Sequence, residues 1–419
     1  MSDQAIASRS GPPAPLPIAS RPRYRVAAIF QRPIPHLCKF FQCLAARAEI
    51  DLKVYFFSDV GIGSTRDQVF LGDMKWDTDL LSGYQHRFFR NYSSWPGMQR
   101  ITGLLRPSLL RELNREYDAV WVHGWGPTTY LPLVTSFARR IPVLLYSDKN
   151  VNEKEGWWRH NFHNLLLPKL FPRVAAFLVI GQRNAVFYRS LGVPEEKMFL
   201  TPLAVDNAFF RQEACRLQPK REALRQKYGI PLKATVILYV GRLSPEKGVL
   251  DLLPAFAELS GDSAHLILVG DGPQRAALET YVGSHKLQRI HFAGFQNYSQ
   301  VPSFYALSDV FVLPSRAEAW GVVINQAMNF GLPIVASQVG GAIADLVENG
   351  RNGLLFEPGD VAQLAGHLSR LIEDPELRRQ MGEESARRIA VCDFERGVEG
   401  VLAALRTVIP TREMSGIAR

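Results

Sequence analysis

Glu318 and Gln326 stand eight positions apart across an apparent helix start, with Trp320, Gly321 and Val322 between them. A helix rises about 1.5 Å per residue, so this spacing spans at most ~12 Å, roughly the distance from the sugar of a nucleotide-sugar, across its diphosphate, to the ribose. Free backbone N–H groups at a helix start can take the diphosphate between the two side chains. Glu318 can accept from sugar hydroxyls, and Gln326 offers a ribose one acceptor and two donors. Upstream runs Gly241-Arg-Leu-Ser-Pro-Glu-Lys-Gly248. Gly241 permits close backbone approach, Arg242 can make forked contacts to a diphosphate, and Lys247 adds a compact charge. Two cations could neutralise a departing diphosphate, so neither a metal nor a cofactor is expected; a nucleotide-sugar would be a substrate.

The window Pro314-Ser-Arg-Ala-Glu-Ala-Trp-Gly-Val-Val-Ile-Asn-Gln-Ala-Met-Asn-Phe-Gly-Leu-Pro-Ile-Val-Ala-Ser337 resembles the signature of retaining glycosyltransferases of family 4 (group 1), which have the two-domain GT-B fold. The resemblance extends from Ala234 to about Ile372. It implies that Glu318 holds the transferred sugar and that Arg242 and Lys247 bind the donor diphosphate. It implies further that Gly270, in Val269-Gly-Asp-Gly-Pro273, forms a turn near the nucleotide, and that Phe295, in Ala293-Gly-Phe-Gln-Asn297, stands where the base is contacted. In the first half, Val122-His-Gly-Trp125 resembles the family site whose His lies beside the donor sugar. His123 is therefore expected to close the site from the opposite domain, sharing the catalytic role with Glu318. Retention implies same-face attack, with the leaving phosphate taking the acceptor's proton.

Two positions depart from the family. Gln326 replaces the second acid, which leaves open a catalytically weak nucleotide-sugar-binding protein. Gln31-Arg-Pro-Ile-Pro-His36 replaces a Gly-Gly pair whose N–H groups adjoin the β-phosphate, and its two prolines remove two donors. His36 reads as the start of a helix. A nicotinamide dehydrogenase is excluded by the lack of a G-x-G-x-x-G in the first strand–helix turn.

Strand-like and helix-like segments must position these groups, and they alternate along the chain, which predicts α/β layers with parallel sheets. Strands are expected at Tyr24 to Phe30, Leu52 to Phe57, Asp118 to Val122, Pro142 to Tyr146 and Ala175 to Ile180. A second set is expected at Thr235 to Val240, His265 to Val269, Arg289 to Phe292, Asp309 to Leu313, Pro333 to Ala336 and Leu354 to Phe356. Residues 59–85 read as a long loop, Gln212 to Tyr228 as helical, and Pro375 to Thr407 as a helical stretch crossing back to the first domain. The expected organisation is a disordered leader (1–22), an N-terminal Rossmann-like acceptor domain (23–208), a linker helix (209–233), a donor domain (234–390) and a returning C-terminal helix (391–419).

The composition, 47% hydrophobic and 21% charged over 419 residues, suits two cores. No apolar run reaches the ~18 residues of a membrane span. Cys38, Cys43, Cys215 and Cys392 form neither a CxxC pair nor a Cys/His ligand set, which fits a reduced cytosolic compartment and no zinc. The net charge of +9 lies wholly in residues 1–210, with 26 basic against 17 acidic residues. Such a bias favours an anionic partner, and a membrane surface suits it better than nucleic acid, for which no binding motif is present. The segment from Trp157 to Arg173 could lie on a bilayer or pack on a sheet. The expected acceptor is a lipid-linked saccharide of surface polysaccharide synthesis, reached at the inner face of the membrane; a soluble small molecule is the alternative.

Overall fold

The computed structural model describes residues 24–63, 65–67, 72–89, 113, 116–124, 137–149, 165–259 and 264–409. The proposed leader, Trp125 and residues 157–164 lie outside this set.

The first half forms β1 (Tyr24–Phe30), β2 (Ile50–Phe56), β3 (Thr65–Asp67), β4 (Gly72–Met74), β5 (Gln85–Phe88), β6 (Ala119–His123), β7 (Val143–Tyr146), β8 (Ala176–Val179) and β9 (Met198–Leu200). All but β3 and β4 join one sheet in the order β5-β2-β1-β6-β7-β8-β9, and every pairing is parallel. The second half forms β10 (Thr235–Val240), β11 (Ala264–Val269), β12 (Ile290–Gly294), β13 (Val310–Leu313), β14 (Ile334–Ser337) and β15 (Gly353–Phe356). These make a second parallel sheet in the order β12-β11-β10-β13-β14-β15.

The central strands are short apolar runs because both faces are covered. Thr-Val-Ile-Leu-Tyr-Val of β10 is buried at every position, as expected of a parallel strand between helical layers. In each sheet the strand order reverses beside the first strand, between β1 and β6 and between β10 and β13. A crevice opens at the carboxyl ends of strands at such a reversal. The chemistry-bearing segments all leave strands there: residues 31–36 after β1, His123 at the end of β6, Gly241–Gly248 after β10, and Pro314–Glu318 after β13.

Three expectations need correction. Residues 59–85 are not one loop: β3 and β4 form an antiparallel hairpin, and β5 begins at Gln85. The helix expected from Gln212 starts earlier, at Asn207, because Asp206 caps it by accepting from Phe209 N at 3.0 Å. The stretch from Pro375 is two helices, Pro375–Ile389 and Phe394–Val408, the second capped by Asp393 through Arg396 N at 2.9 Å. That last helix packs on the first half. Phe394 stacks on Phe40 with centroids 6.0 Å apart, and Glu395 pairs with Arg47. Of the 157–173 segment, the described part is packed: Leu167, Leu170 and Phe171 are buried in the core beneath the first sheet, while Leu165 is exposed.

Candidate active site

A cavity of about 360 Å³ lies between the two sheets. Its second-domain wall carries Gly241, Arg242, Lys247, Glu318, Trp320, Gly321 and Val322. Its first-domain wall carries His36, His123, Tyr146 and Asp148.

The second-domain wall is built by loops that lock into one another. Lys247 Nζ sits 2.6 Å from Glu318 Oε2, to which Ser315 Oγ also donates at 3.3 Å. Glu246 O accepts from Arg316 N at 2.8 Å and Ala317 N at 3.0 Å. Gly248 has φ +65°, and a Cβ there would lie 2.1 Å from Pro314 O. Only glycine allows the two loops to approach so closely. Arg242 is anchored through its carbonyl, which accepts from the buried Tyr239 hydroxyl at 2.7 Å. Its Nη1 lies 3.9 Å from Glu246 Oε1, while its Nε is buried with no hydrogen-bond partner among the described residues, which leaves a donor for a ligand. The helix Val322–Asn329 begins at Gly321 without a side-chain cap, so its first N–H groups are available to a ligand. Trp320 is held by Nε1 donation to Asn325 Oδ1 at 3.0 Å.

On the facing wall, His123 ends β6 and stacks on Phe30 with centroids 5.1 Å apart. Burial holds its imidazole below the usual histidine range, with the Asp148 charge opposing. Burial, helped by His123, pushes His36 down to about 4. Both rings are therefore neutral at physiological pH and can each offer one donor and one acceptor. His36 is thus more than a helix start, since it lines the cavity. Asp148 and Tyr146 were not singled out from sequence; a carboxylate two residues beyond a buried strand was the available signal.

Three expected donor residues do not line this cavity. Gly270 lies behind the Arg242 loop, where a Cβ would meet Gly241 O at 1.9 Å; it lets the two backbones touch. Phe295 faces Trp76 across the domain seam, with centroids 6.3 Å apart. Gln326 lies one helical turn beyond Val322, and its Oε1 accepts from the buried Tyr305 hydroxyl at 2.9 Å. That bond takes one lone pair of the amide oxygen, and the side chain is half-buried.

The domains are tied on both sides of the cavity. Asn297 Nδ2 donates to Lys75 O at 2.7 Å and its Oδ1 accepts from Asp77 N at 3.1 Å. Across the seam, the Asp345 carboxylate accepts from Gln182 N at 3.1 Å. Among the described residues, no three His, Cys, Asp or Glu side chains group as a metal site.

Residues 220–388 match the family described as glycosyl transferases group 1. Over these residues the chain is similar to a group 1 glycosyltransferase domain. They include Arg242, Lys247, Glu318 and the helix start at Gly321. The alpha-D-kanosaminyltransferase of Streptomyces kanamyceticus is 38% identical over 218 residues, covering 51% of this chain and 55% of that protein. The 2-deoxystreptamine glucosyltransferase of the same organism is 34% identical over 241 residues, covering 54% and 61%. The chain thus spans little more than half the length of these relatives. The Anabaena protein HepE, solved in complex with UDP-glucose, has a TM-score of 0.68 at 21% identity, covering 91% of this chain and 99% of that one. At that identity the likeness shows the fold, which is the GT-B fold of two Rossmann-like domains. No helix among the described residues is long and apolar enough to cross a membrane.

Proposed function

We propose that this protein transfers a sugar from a nucleotide-sugar to an acceptor hydroxyl with retention of configuration. The observation that carries this reading is the convergence of Arg242, Lys247, Glu318 and His123 on one interdomain cavity. Arg242 and Lys247 hold the diphosphate and stabilise the charge that develops on it as the glycosidic bond breaks. The free N–H groups after Gly321 share that charge. Glu318 orients hydroxyls of the transferred sugar. Neutral His123 approaches the sugar from the opposite wall. The acceptor hydroxyl attacks on the leaving-group face, and its proton passes to the departing phosphate, so no enzymic nucleophile is required. The closed seam keeps water from the donor.

UDP is the first nucleotide to test, because HepE was solved with UDP-glucose. Gln326 sits one turn past the cavity, and its amide is the group we assign to the ribose. No metal is assigned to the reaction. For the acceptor we carry forward two classes, a lipid-linked saccharide met at the inner membrane face and a soluble polyol. The basic first half supports the former, and the aminocyclitol named in one relative supports the latter. The test is thermal shift against UDP, GDP and ADP. Binding to the folded state raises the midpoint by linkage, and Arg242→Ala should remove the shift. A wild-type protein whose midpoint no nucleotide diphosphate moves would contradict the reading.

A further inference from the structure

The two walls of the cavity differ in charge. The second-domain wall holds both cations, one of them paired with Glu318. On the first-domain wall the two imidazoles are held neutral, so among the described lining residues its formal charge is that of Asp148 alone. We infer that Asp148 selects an acceptor whose reacting ring carries an amine, and disfavours one carrying a phosphate; this rests on the glycosyl-transfer reading above.

The position of Asp148 is built. It follows β7 by two residues, and β7 pairs with β6 so that Tyr146 lies opposite His123. Gly124 N donates to Tyr146 O at 2.7 Å, fixing the ends of both strands. The Ser147 side chain is buried, and its Oγ accepts from Lys149 N at 3.1 Å. On the far side, Asn184 Nδ2 donates to Lys149 O at 2.5 Å, while Asn184 Oδ1 accepts from Ile180 N at 3.2 Å. The backbone is therefore held before and after residue 148, and the carboxylate is presented to the cavity by a fixed turn. Its charge acts on that wall: it opposes the effect of burial at His123 and adds to it at Tyr146 and Tyr188. No ion pair engages Asp148 among the described residues.

With the diphosphate on the Arg242 and Lys247 side, the attacking hydroxyl must enter along the first-domain wall, past His123 and Asp148. A ring phosphate there would meet like charge, and an ammonium would meet a counter-ion. Discrimination of this kind comes as much from repelling the wrong ligand as from attracting the right one.

The test uses three cyclitols of similar shape and different charge: 2-deoxystreptamine, myo-inositol and inositol 3-phosphate. Each is titrated calorimetrically into the full chain saturated with UDP. The expected order of affinity is 2-deoxystreptamine, then myo-inositol, then inositol 3-phosphate. Because Asp148 is solvent-exposed, the first step should be roughly threefold or more. Asp148→Asn should remove that step and leave UDP affinity unchanged. Equal affinities, a preference for the phosphate, binding by none of the three, or an order unchanged in Asp148→Asn would each overturn the inference. The UDP titration separates the two readings. Protein that binds UDP but ignores cyclitol charge loses only the assignment of Asp148, whereas protein that fails to bind UDP loses the donor site as well.

Discussion

Lys247 Nζ lies 2.6 Å from Glu318 Oε2, joining the loop after β10 to the loop after β13. The contact sets the cation expected at the diphosphate beside the acid expected at the sugar, across the reversal point of the second sheet. The Glu318 side chain is only 9% exposed, so its charge depends on nearby partners. Lys247→Ala should destabilise the fold by about 1–3 kcal/mol, below the range for a fully buried pair because Lys247 keeps some contact with water. Lys247→Ala/Glu318→Gln should lose less than Lys247→Ala alone, since the carboxylate that lost its lysine is no longer charged. Urea denaturation of the three proteins decides this, and a double variant weaker than the single would contradict it.

Gly248 should tolerate no side chain. Its φ of +65° and the 2.1 Å gap between a Cβ and Pro314 O both oppose substitution. Gly248→Ala should cost about 2 kcal/mol or more. Because the same loops carry Lys247 and Glu318, it should also weaken UDP binding. Wild-type urea midpoint and UDP affinity in this variant would show that the loops are not so tightly joined.

Asn297 ties the domains by bonding both Lys75 O and Asp77 N. Asn297→Ala should loosen closure. Less complete exclusion of water should raise donor hydrolysis relative to transfer. Measuring free sugar against glycosylated product gives the ratio, and an unchanged ratio would remove this contact from closure.

The imidazole of His36 is pushed from 6.5 to about 4, by burial first and then by His123. Between those values the unfolded chain binds a proton that the folded chain refuses, so stability rises with pH through the window. Lowering the pH from 6.5 toward 4 should therefore lower the melting temperature. His36→Gln should reduce the slope, with the other imidazoles that burial holds below their usual range, His123 and His291, keeping part of it. An identical slope in the variant would show that His36 is solvated.

Much of the second sheet was legible from sequence, because strands such as Thr235–Val240 are apolar runs bounded by glycine and polar turns. Glu318, Arg242 and Lys247 were legible for the same reason: each follows a recognisable strand end at a fixed distance. The hairpin of β3 and β4 was not, since three-residue strands have too few positions to show alternation. The break between Ile389 and Phe394 depends on one capping aspartate within an otherwise helical pattern. Gly270 looked like a ligand turn, yet its requirement is a backbone contact with Gly241, and sequence does not distinguish the two. Asp148 and His36 were missed as a pair because the wall they share is assembled only when the two sheets face each other.

The most direct measurement is release of UDP from a UDP-sugar by wild-type and Glu318→Gln protein, with UDP affinity determined in parallel. If Glu318 acts on the sugar in the transition state, the variant should lose roughly a hundredfold in turnover and retain UDP binding within a few-fold. Turnover close to wild type in Glu318→Gln, with UDP bound equally well, would contradict the assignment of this cavity as the site of glycosyl transfer.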